Sequence, residues 1–275
     1  QHDEHLPPQI DHTITAAPGR DLLWSDPATW GDRLPDRDDE VLIPEGSHVV
    51  LDTESVVRSV TIAPDARLVF APQAVELRLE YMLVSGVLEV GTPDVPYVGS
   101  AVIEFTGLDR ETDIAGMGGK GLFVFGGGVL DLHGSFDGTA WTRLAATAQP
   151  DDTQITLDDV TGWQVGDQIV IAPSGFDYQE AEDAVITALE GNTATLDRPL
   201  RYVHFGELLE YADMDFDMRA EVGLLTRNIV LRGDEIARET GFGGQVAGMP
   251  GSVMRVHGVE MVHMGQQAQL GRYPI

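Results

Sequence analysis

Short stretches of alternating apolar and polar residues, separated by turn residues, run through the first half of the chain. Val41–Ile43 is followed by Pro44, and Val60–Ile62 is followed by Pro64. Further on, every second position is commonly apolar, as at Leu68, Phe70, Leu77, Leu79, Leu83, Leu88 and Val90. A period of two residues predicts β-strands with one buried face. No stretch shows the period of a 10–15-residue amphipathic helix, so the pattern predicts an all-β protein.

The strand-like segments recur at steps of roughly 20–25 residues, which suits the coils of a parallel β-helix. They centre near Val60, Met82, Val102 and Leu122, and again near Ile229 and Val253. A β-sandwich, with turns about every 8–12 residues, can imitate this spacing. The pattern alone leaves both architectures open.

Residues 141–200 have a different character and predict a small β module set between coils. Four strands with hairpin-like turns are expected there, at Asp151–Leu157, Gly166–Ile171, Ala184–Thr187 and Asn192–Leu196. The resulting division is a flexible leader over 1–20, a first β domain over 21–140, the module over 141–200 and the start of a β-helix over 201–275. In the leader, His2, Asp3, His5 and His12 could bind a metal, but a disordered terminus is the simpler interpretation.

The excess of acidic residues and the lack of cysteine limit the kinds of ligand and partner that the protein can bind. The chain has 45 acidic and 17 basic residues among 275, giving a net charge of −28. Such a surface is soluble and repels nucleic acids and anionic membranes, so we expect neither as a partner. The chain has no cysteine, which excludes disulfides and thiolate metal sites, and no apolar run of about 18 residues.

The charge is unevenly distributed along the chain. Residues 1–197 carry 35 acids and 9 bases, whereas residues 198–275 carry 10 acids and 8 arginines. The C-terminal part is therefore nearly neutral, and we expect any anionic ligand to meet the protein there.

Several motifs carry a resemblance to known extracellular proteins. Trp24-Ser-Asp-Pro-Ala-Thr-Trp30, Ile43-Pro-Glu-Gly46 and Val49-Val-Leu-Asp52, with the later glycines, resemble the G-eight domain. Gly162–Ile171, Asp217–Ile229, His263–Gln267 and Gly271–Ile275 resemble the cell-migration-inducing hyaluronidase family and its transmembrane relative.

This resemblance implies a secreted or cell-surface protein with a right-handed parallel β-helix that contains the G-eight region and a small inserted β module. It also implies binding or depolymerisation of hyaluronan. Fibrocystin-type proteins carry the G-eight domain without a known enzymatic role. In the hyaluronidase family the motif at Gly271–Ile275 continues into His-Phe-His, so we expect residues 1–275 alone to be inactive as a glycoside hydrolase or lyase.

One group of candidate site residues lies at 213–221. Asp215, Asp217 and Glu221 could act as catalytic carboxylates, because a glycosidase needs an acid and a base or nucleophile. Arg219 could bind a substrate carboxylate. Asp213, with Asp215 and Asp217, could instead hold Ca²⁺ through oxygen ligands, and calcium is the one cofactor we consider.

Two other interpretations of this group stay open. It could be a solvated acidic loop with Arg219 in a salt bridge, or it could pin the G-eight region to the β-helix. If one strand runs from 213 to 221, the odd-numbered side chains share a face.

The second group lies near the C-terminus. His263 is a candidate acid or base, although a lone histidine on a strand is more often structural. Gln266, Gln267, Arg272 and Tyr273 could line a sugar groove, and Arg272 could pair with a uronate carboxylate. A glutamine ladder inside the helix is the alternative for Gln266 and Gln267.

We therefore predict an extracellular or cell-surface protein that binds or depolymerises an anionic, uronic-acid polysaccharide of the hyaluronan kind. We expect it to be a monomer. The alternative is a non-catalytic adhesion or carbohydrate-binding module, stabilised by calcium.

Overall fold

The computed structural model describes residues 12–107, 110–114, 116–211 and 214–275. The chain divides into two compact units. We call residues 1–135 with 228–275 the β-helix unit, and residues 136–227 the inserted module. Strands are numbered in chain order.

Three parallel sheets form the β-helix unit. The first has the spatial order β1 (Thr13–Thr15), β3 (Glu40–Ile43), β6 (Ser59–Ile62), β9 (Tyr81–Val84), β12 (Gly121–Val124) and β23 (Gln245–Gly248). The second is β2 (Leu22–Leu23), β4 (His48–Leu51), β7 (Arg67–Phe70), β10 (Val87–Val90), β13 (Val129–His133) and β24 (Val253–His257). The third is β25 (Val259–Val262), β22 (Ile229–Gly233), β11 (Ser100–Phe105), β8 (Ala74–Leu79) and β5 (Ser55–Val56).

The chain visits the three sheets in turn, which confirms the predicted parallel β-helix. One coil runs through β3, β4 and β5, and the next through β6, β7 and β8. Val60 lies in register with Met82, and Met82 lies in register with Leu122. Val102 belongs to the third sheet, where it pairs with Glu76 and Val230. The uniform step of about 20 residues was therefore wrong from Met82 onward.

The core follows from the period of two. Val41, Ile43, Leu68 and Phe70 point inward and are buried, while the residues between them are partly exposed. On the outside of the third sheet, Arg232 bonds Glu104 (Nε–Oε2 2.6 Å) and Glu76 (Nη2–Oε1 3.0 Å) on the two preceding coils.

The tryptophan motif near the N-terminus forms a short 3₁₀-helix, Pro27–Trp30. Asp26 caps it by accepting a bond from the Ala28 amide, and proline occupies its first position. Trp24 and Trp30 are buried edge to face, with ring centroids 4.8 Å apart. Of the predicted leader, residues 1–11 lie outside the described residues, and Thr13–Thr15 form β1, which pairs with β3.

The inserted module is a six-stranded antiparallel sheet with a separate hairpin. The sheet has the order β14 (Trp141–Arg143), β21 (Glu221–Leu224), β16 (Gln168–Ile171), β17 (Glu182–Glu190), β18 (Thr193–Leu196) and β15 (Gln154–Thr156). The hairpin is β19 (Leu208–Tyr211) with β20 (Met214–Asp217). The four predicted strands are confirmed, and residues 201–227, which the sequence suggested were β-helix, lie in the module.

Helical structure is scarce. The described residues contain the α-helix α1 (Glu235–Thr240) and a second 3₁₀-helix at Tyr178–Glu180, besides the one at Pro27–Trp30. Among the described residues, no helix is long and apolar enough to span a membrane.

Asn228 closes the point where the module leaves and rejoins the β-helix. Its side-chain nitrogen donates to the carbonyl oxygens of Tyr97 (2.5 Å) and Gly99 (2.9 Å), and its side-chain oxygen accepts from the amide of Ser135 (3.2 Å). Ser135 is the last residue of the β-helix unit before the module, and Asn228 is the first after it. The two ends of the insertion are thus tied to the preceding coil, and β22 continues the third sheet.

We expect Asn228→Ala to lower the free energy of unfolding of the β-helix unit by about 2–3 kcal/mol, because three hydrogen bonds at roughly 1 kcal/mol each are lost. Urea unfolding measures the change. Asn192→Ala is the control, since Asn192 donates one exposed bond, to the Asp158 carbonyl (2.7 Å). Equal losses in the two variants would contradict the role given to Asn228.

Candidate functional site

Five predicted site residues surround one cavity in the β-helix unit. The cavity, about 390 Å³ in volume, is lined by residues that include His263, Gln266, Gln267, Arg272 and Tyr273. We call it the Arg272 cavity. The segment that follows β25 reaches it through a series of left-handed backbone positions, at His263 (φ 51°), Gly265 (φ 86°), Ala268 (φ 61°) and Gly271 (φ 82°). Glycine adopts this conformation without steric cost, whereas His263 and Ala268 are uncommon there.

Backbone hydrogen bonds hold this segment against the preceding loop. Gly243 donates to the carbonyl of Gly265 (2.8 Å), and Gln267 donates to the carbonyl of Gly241 (2.7 Å). Val246, in β23, donates to the carbonyl of Pro274 (3.0 Å). The cavity wall is therefore built on the last strands of the β-helix.

Gln266 positions Arg272. It is 6% exposed, and its side-chain oxygen accepts a bond from Arg272 Nη1 (2.9 Å), while its amide nitrogen donates to Gly243 (3.4 Å). Both polar atoms of the Gln266 side chain therefore bond other residues of the protein. The sequence had suggested instead that Gln266 contacts the sugar directly. Arg272 is half-buried, and Gln267, His263 and Tyr273 are exposed.

The sign of the charge around the Arg272 cavity is unusual for this chain. Two arginines line it, Arg238 and Arg272, together with His263. The described residues that line it include no carboxylate, although the chain has 45 acids. Residues 228–275 hold four acids and four arginines, which makes this segment neutral overall.

The other group of candidate residues lies in the inserted module, around Arg219. Its guanidinium bonds both oxygens of Asp217 (2.9 Å each) and one oxygen of Asp158 (2.7 Å). Arg143 reaches Asp217 (2.8 Å) and Glu221 (3.5 Å). We call these five residues the Arg219 cluster; all of them belong to the module.

Arg219 fixes the ionisation of Asp217. The hydrogen bonds from its guanidinium hold the pKa of that carboxyl well below its usual range, with a further contribution from Arg143. The same contact, with that of Asp158, raises the pKa of Arg219. A carboxylate held in this way cannot act as the proton donor of a glycosidase near neutral pH.

Residues 214–221 do not form one continuous strand, which was the condition for the odd-numbered side chains to share a face. β20 ends at Asp217, and β21 begins at Glu221 after three residues outside any strand. Arg219 contacts Asp217 directly, and Arg143 on β14 links Asp217 to Glu221. Asp215 is exposed and lies opposite Glu210 in the hairpin. Asp213 lies outside the described residues.

The expected calcium site gains no support from the geometry. Over the part of the chain that the structure describes, no group of three or more histidines, aspartates or glutamates is close enough to hold a metal ion.

Lys120 is a buried cation that the sequence analysis did not single out. It is 2% exposed, and its Nζ donates to Asp234 (3.1 Å) and to the carbonyl oxygens of Phe242 (3.1 Å) and Gly107 (3.2 Å). Burial lowers its pKa, while Asp234 opposes the shift. Lys120 thereby fixes Phe242, which forms a β-bridge with Gln266. The feature of the sequence that could have drawn attention to this residue is that Lys120 is its one lysine.

The chain is similar to known proteins along most of its length. The family described as "G8 domain" matches residues 29–145. Fibrocystin-L of Homo sapiens is 34% identical over 92% of this chain, and a G8 domain-containing protein of Dictyostelium discoideum is 32% identical over 96%. The chain spans 7% of the first relative's length and 24% of the second's.

A solved structure, the Gp54 tailspike of Acinetobacter baumannii bacteriophage AP22 in complex with A. baumannii capsular saccharide, matches 80% of this chain and 29% of its own. The TM-score is 0.27 and the identity 11%, which is too weak a likeness to say anything of this chain's ligands. The hyaluronidase part of the resemblance stays a prediction.

We expect Arg219→Met to raise the pKa of Asp217 toward its ordinary 3.8, as followed by NMR titration of the carboxyl carbon. A carboxyl whose pKa is lowered in the folded state stabilises the protein above its unfolded pKa. That contribution is lost as the pH falls through the folded pKa. The stability of the variant should therefore fall less steeply than that of the wild type below about pH 4.

Arg198→Met is the control, because it removes an exposed partner of Asp183 elsewhere in the module (2.7 Å). An Asp217 that titrates identically in the wild type and in Arg219→Met would contradict the assignment.

Proposed function

We propose that this chain, which belongs to the family of G8 domain proteins, is a carbohydrate-binding protein whose β-helix unit takes an anionic, uronic-acid polysaccharide in the Arg272 cavity. The observation that carries this proposal is the lining of the cavity, with two arginines, a histidine and no carboxylate among its described residues. Arg238 also bonds Glu235 (3.2 Å), which does not line the cavity, whereas Arg272 bonds the neutral Gln266. The charge of Arg272 is therefore the one that would attract an anionic group in a chain of net charge −28.

The individual side chains suit a uronate. Arg272 is held by Gln266, and a guanidinium pairs with a carboxylate through two parallel hydrogen bonds. Gln267 can donate and accept bonds with sugar hydroxyls. Tyr273 offers an apolar ring face with a polar end.

The same geometry favours binding over cleavage by this chain. A glycosidase uses two carboxylates that flank the scissile bond. The described lining of the Arg272 cavity supplies none, and the predicted catalytic Asp217 and Glu221 lie in ion pairs within the module. We therefore propose that residues 1–275 bind the polymer without shortening it. The depolymerisation implied by the hyaluronidase resemblance needs carboxylates beyond this cavity.

The finer parts of the proposal rest on the resemblance alone. They are that the polymer is of the hyaluronan kind and that the protein acts outside the cell or at its surface. We also expect the protein to be a monomer in solution.

We expect Arg272→Ala to weaken binding of a hyaluronan oligosaccharide by roughly tenfold or more, since a charge-assisted hydrogen-bonded pair is lost. Isothermal titration calorimetry at two salt concentrations measures this, and the salt dependence should fall in the variant. Arg255→Ala is the matched control, because Arg255 is exposed and pairs with Asp131 (2.7 Å) outside the cavity.

An unchanged affinity in Arg272→Ala, or no binding by the wild type, would remove the proposal. Gel analysis of long hyaluronan after incubation tests the second part: its length should not change, and shortening by this chain would refute binding without cleavage.

A further inference from the structure

The inserted module contains a second cavity, to which neither the resemblance nor the proposed function assigns a ligand. Its volume is about 650 Å³, within the range of small-molecule sites. The lining comes from three residues between 174 and 180 and four between 201 and 205, with Pro150, Leu209 and Met218. We call it the module cavity.

The buried carboxylate of Glu182 holds residues 201 and 202, which form one wall of the cavity. Glu182 is 6% exposed and accepts hydrogen bonds from the amides of Arg201 (3.0 Å) and Tyr202 (2.9 Å). It also contacts Arg201 Nε (3.3 Å) and His204 Nε2 (3.2 Å). Burial alone would raise the pKa of Glu182, but these bonds outweigh it and lower the pKa. The carboxylate therefore stays charged and fixes the loop that carries Arg201 and Tyr202.

Hydrogen bonds join the side of the cavity that contains Ser174 to the side formed by residues 201–205. Ser174 Oγ accepts from the amide of Phe205 (2.8 Å) and donates to the carbonyl of Val203 (3.3 Å). His204 is fully buried, and its Nδ1 lies 3.0 Å from the carbonyl of Ala172. A cavity whose walls are fixed in advance binds a ligand with less loss of conformational entropy.

The lining combines apolar surface with one charge of each sign. Tyr202 and Phe205 contribute aromatic rings, and Arg201 and Glu180 contribute a guanidinium and a carboxylate. Aliphatic side chains complete it, and several are exposed: Met218 by 65%, Val203 by 47% and Leu209 by 43%. Apolar groups left in water around a concave surface mark a binding site.

The hairpin extends the apolar wall. Leu209 and Phe216 are register partners and so share one face, whereas Glu210, Asp215 and Asp217 lie on the other. Because Leu209 lines the cavity, the apolar face is the one that continues it.

Electrostatics exclude a polyanion as the occupant. The module holds 18 acids and 5 arginines, a net charge of −13, and the charges in the cavity lining cancel. A strongly acidic module repels an anionic polymer, and a lining with one charge of each sign gives a cationic ligand no net local attraction, so a neutral ligand suits this cavity best.

We propose that the module cavity binds a neutral oligosaccharide that contains N-acetylhexosamine. Sugar rings present apolar C–H faces, which pack on the rings of Tyr202 and Phe205. Their hydroxyls donate to the Glu180 carboxylate and accept from the Arg201 guanidinium. The acetamido methyl group matches the aliphatic wall of Val203, Leu209 and Met218. This inference does not rest on the anionic ligand of the Arg272 cavity.

Calorimetric titration with chitotetraose tests the inference, with cellotetraose as the matched sugar that lacks acetamido groups. We expect chitotetraose to bind, cellotetraose to bind several-fold more weakly, and Tyr202→Ala to lose roughly tenfold in affinity for chitotetraose. Tyr202→Phe retains the ring and should stay within about twofold of the wild type, which separates stacking from loss of fold.

Tyr273→Ala, the same truncation in the other cavity, should bind chitotetraose as the wild type does. No binding of chitotetraose, or equal loss in Tyr202→Ala and Tyr273→Ala, would overturn the site. Equal affinity for the two sugars would overturn the N-acetylhexosamine assignment. Loss of hyaluronan binding in Arg272→Ala, with chitotetraose binding retained, would show that the two proposals stand separately.

Discussion

Register along three parallel sheets is the constraint on which the rest of the β-helix unit depends. Each interior strand exchanges its backbone hydrogen bonds with the strands of the coils before and after it, so a slip in one coil would turn apolar side chains outward in the next. The insertion of residues 136–227 does not break this register, because β22 lies between β11 and β25 in the third sheet. Asn228 ties the two ends of the insertion to the preceding coil.

The Arg272 cavity inherits its geometry from this register. Lys120 fixes Phe242 at the corner between the third and first sheets, and Phe242 pairs with Gln266. Gln266 in turn holds Arg272. A buried cation satisfied by three oxygen acceptors is costly to disturb, because removing a partner leaves unpaired polar groups inside the protein. The position of one guanidinium is thus set by contacts that begin in the core of the β-helix.

The linings of the two cavities differ in charge, and this difference is the reason for proposing a different ligand for each. Positive charge without a described carboxylate marks the Arg272 cavity, within a neutral segment. The module cavity carries balanced charges in a strongly acidic module. Because the acidic surface elsewhere repels polyanions, the proposed binding of an anionic glycan would depend on the local contacts of Arg272 and Arg238.

Local patterns predicted the strands well, because alternation reports which face of a strand is buried. Which sheet a strand joins depends on the lengths of the turns between the three sheets. Alternation of apolar and polar residues gives no information about those lengths. Val102 was therefore assigned to the same series as Val60 and Met82, although it lies in the third sheet. The pattern also could not show that residues 218–220 leave the strand, or that Arg143, 74 residues before Asp217, completes the cluster.

The five C-terminal candidates line one cavity, as expected for residues that lie within 11 positions of one another in the sequence. What the sequence could not provide was the role of Gln266, whose amide is used within the protein, or that of Lys120, whose burial depends on contacts with residues 107, 234 and 242.

We propose that two separate cavities, one in each unit, bind ligands of different charge. NMR chemical-shift mapping of the isotope-labelled chain, titrated in turn with a hyaluronan oligosaccharide and with chitotetraose, tests it most directly. We expect two distinct sets of perturbed amides, one around Gln266–Tyr273 and one around residues 201–205. Perturbation of a single common set by both sugars, or of neither region, would contradict it.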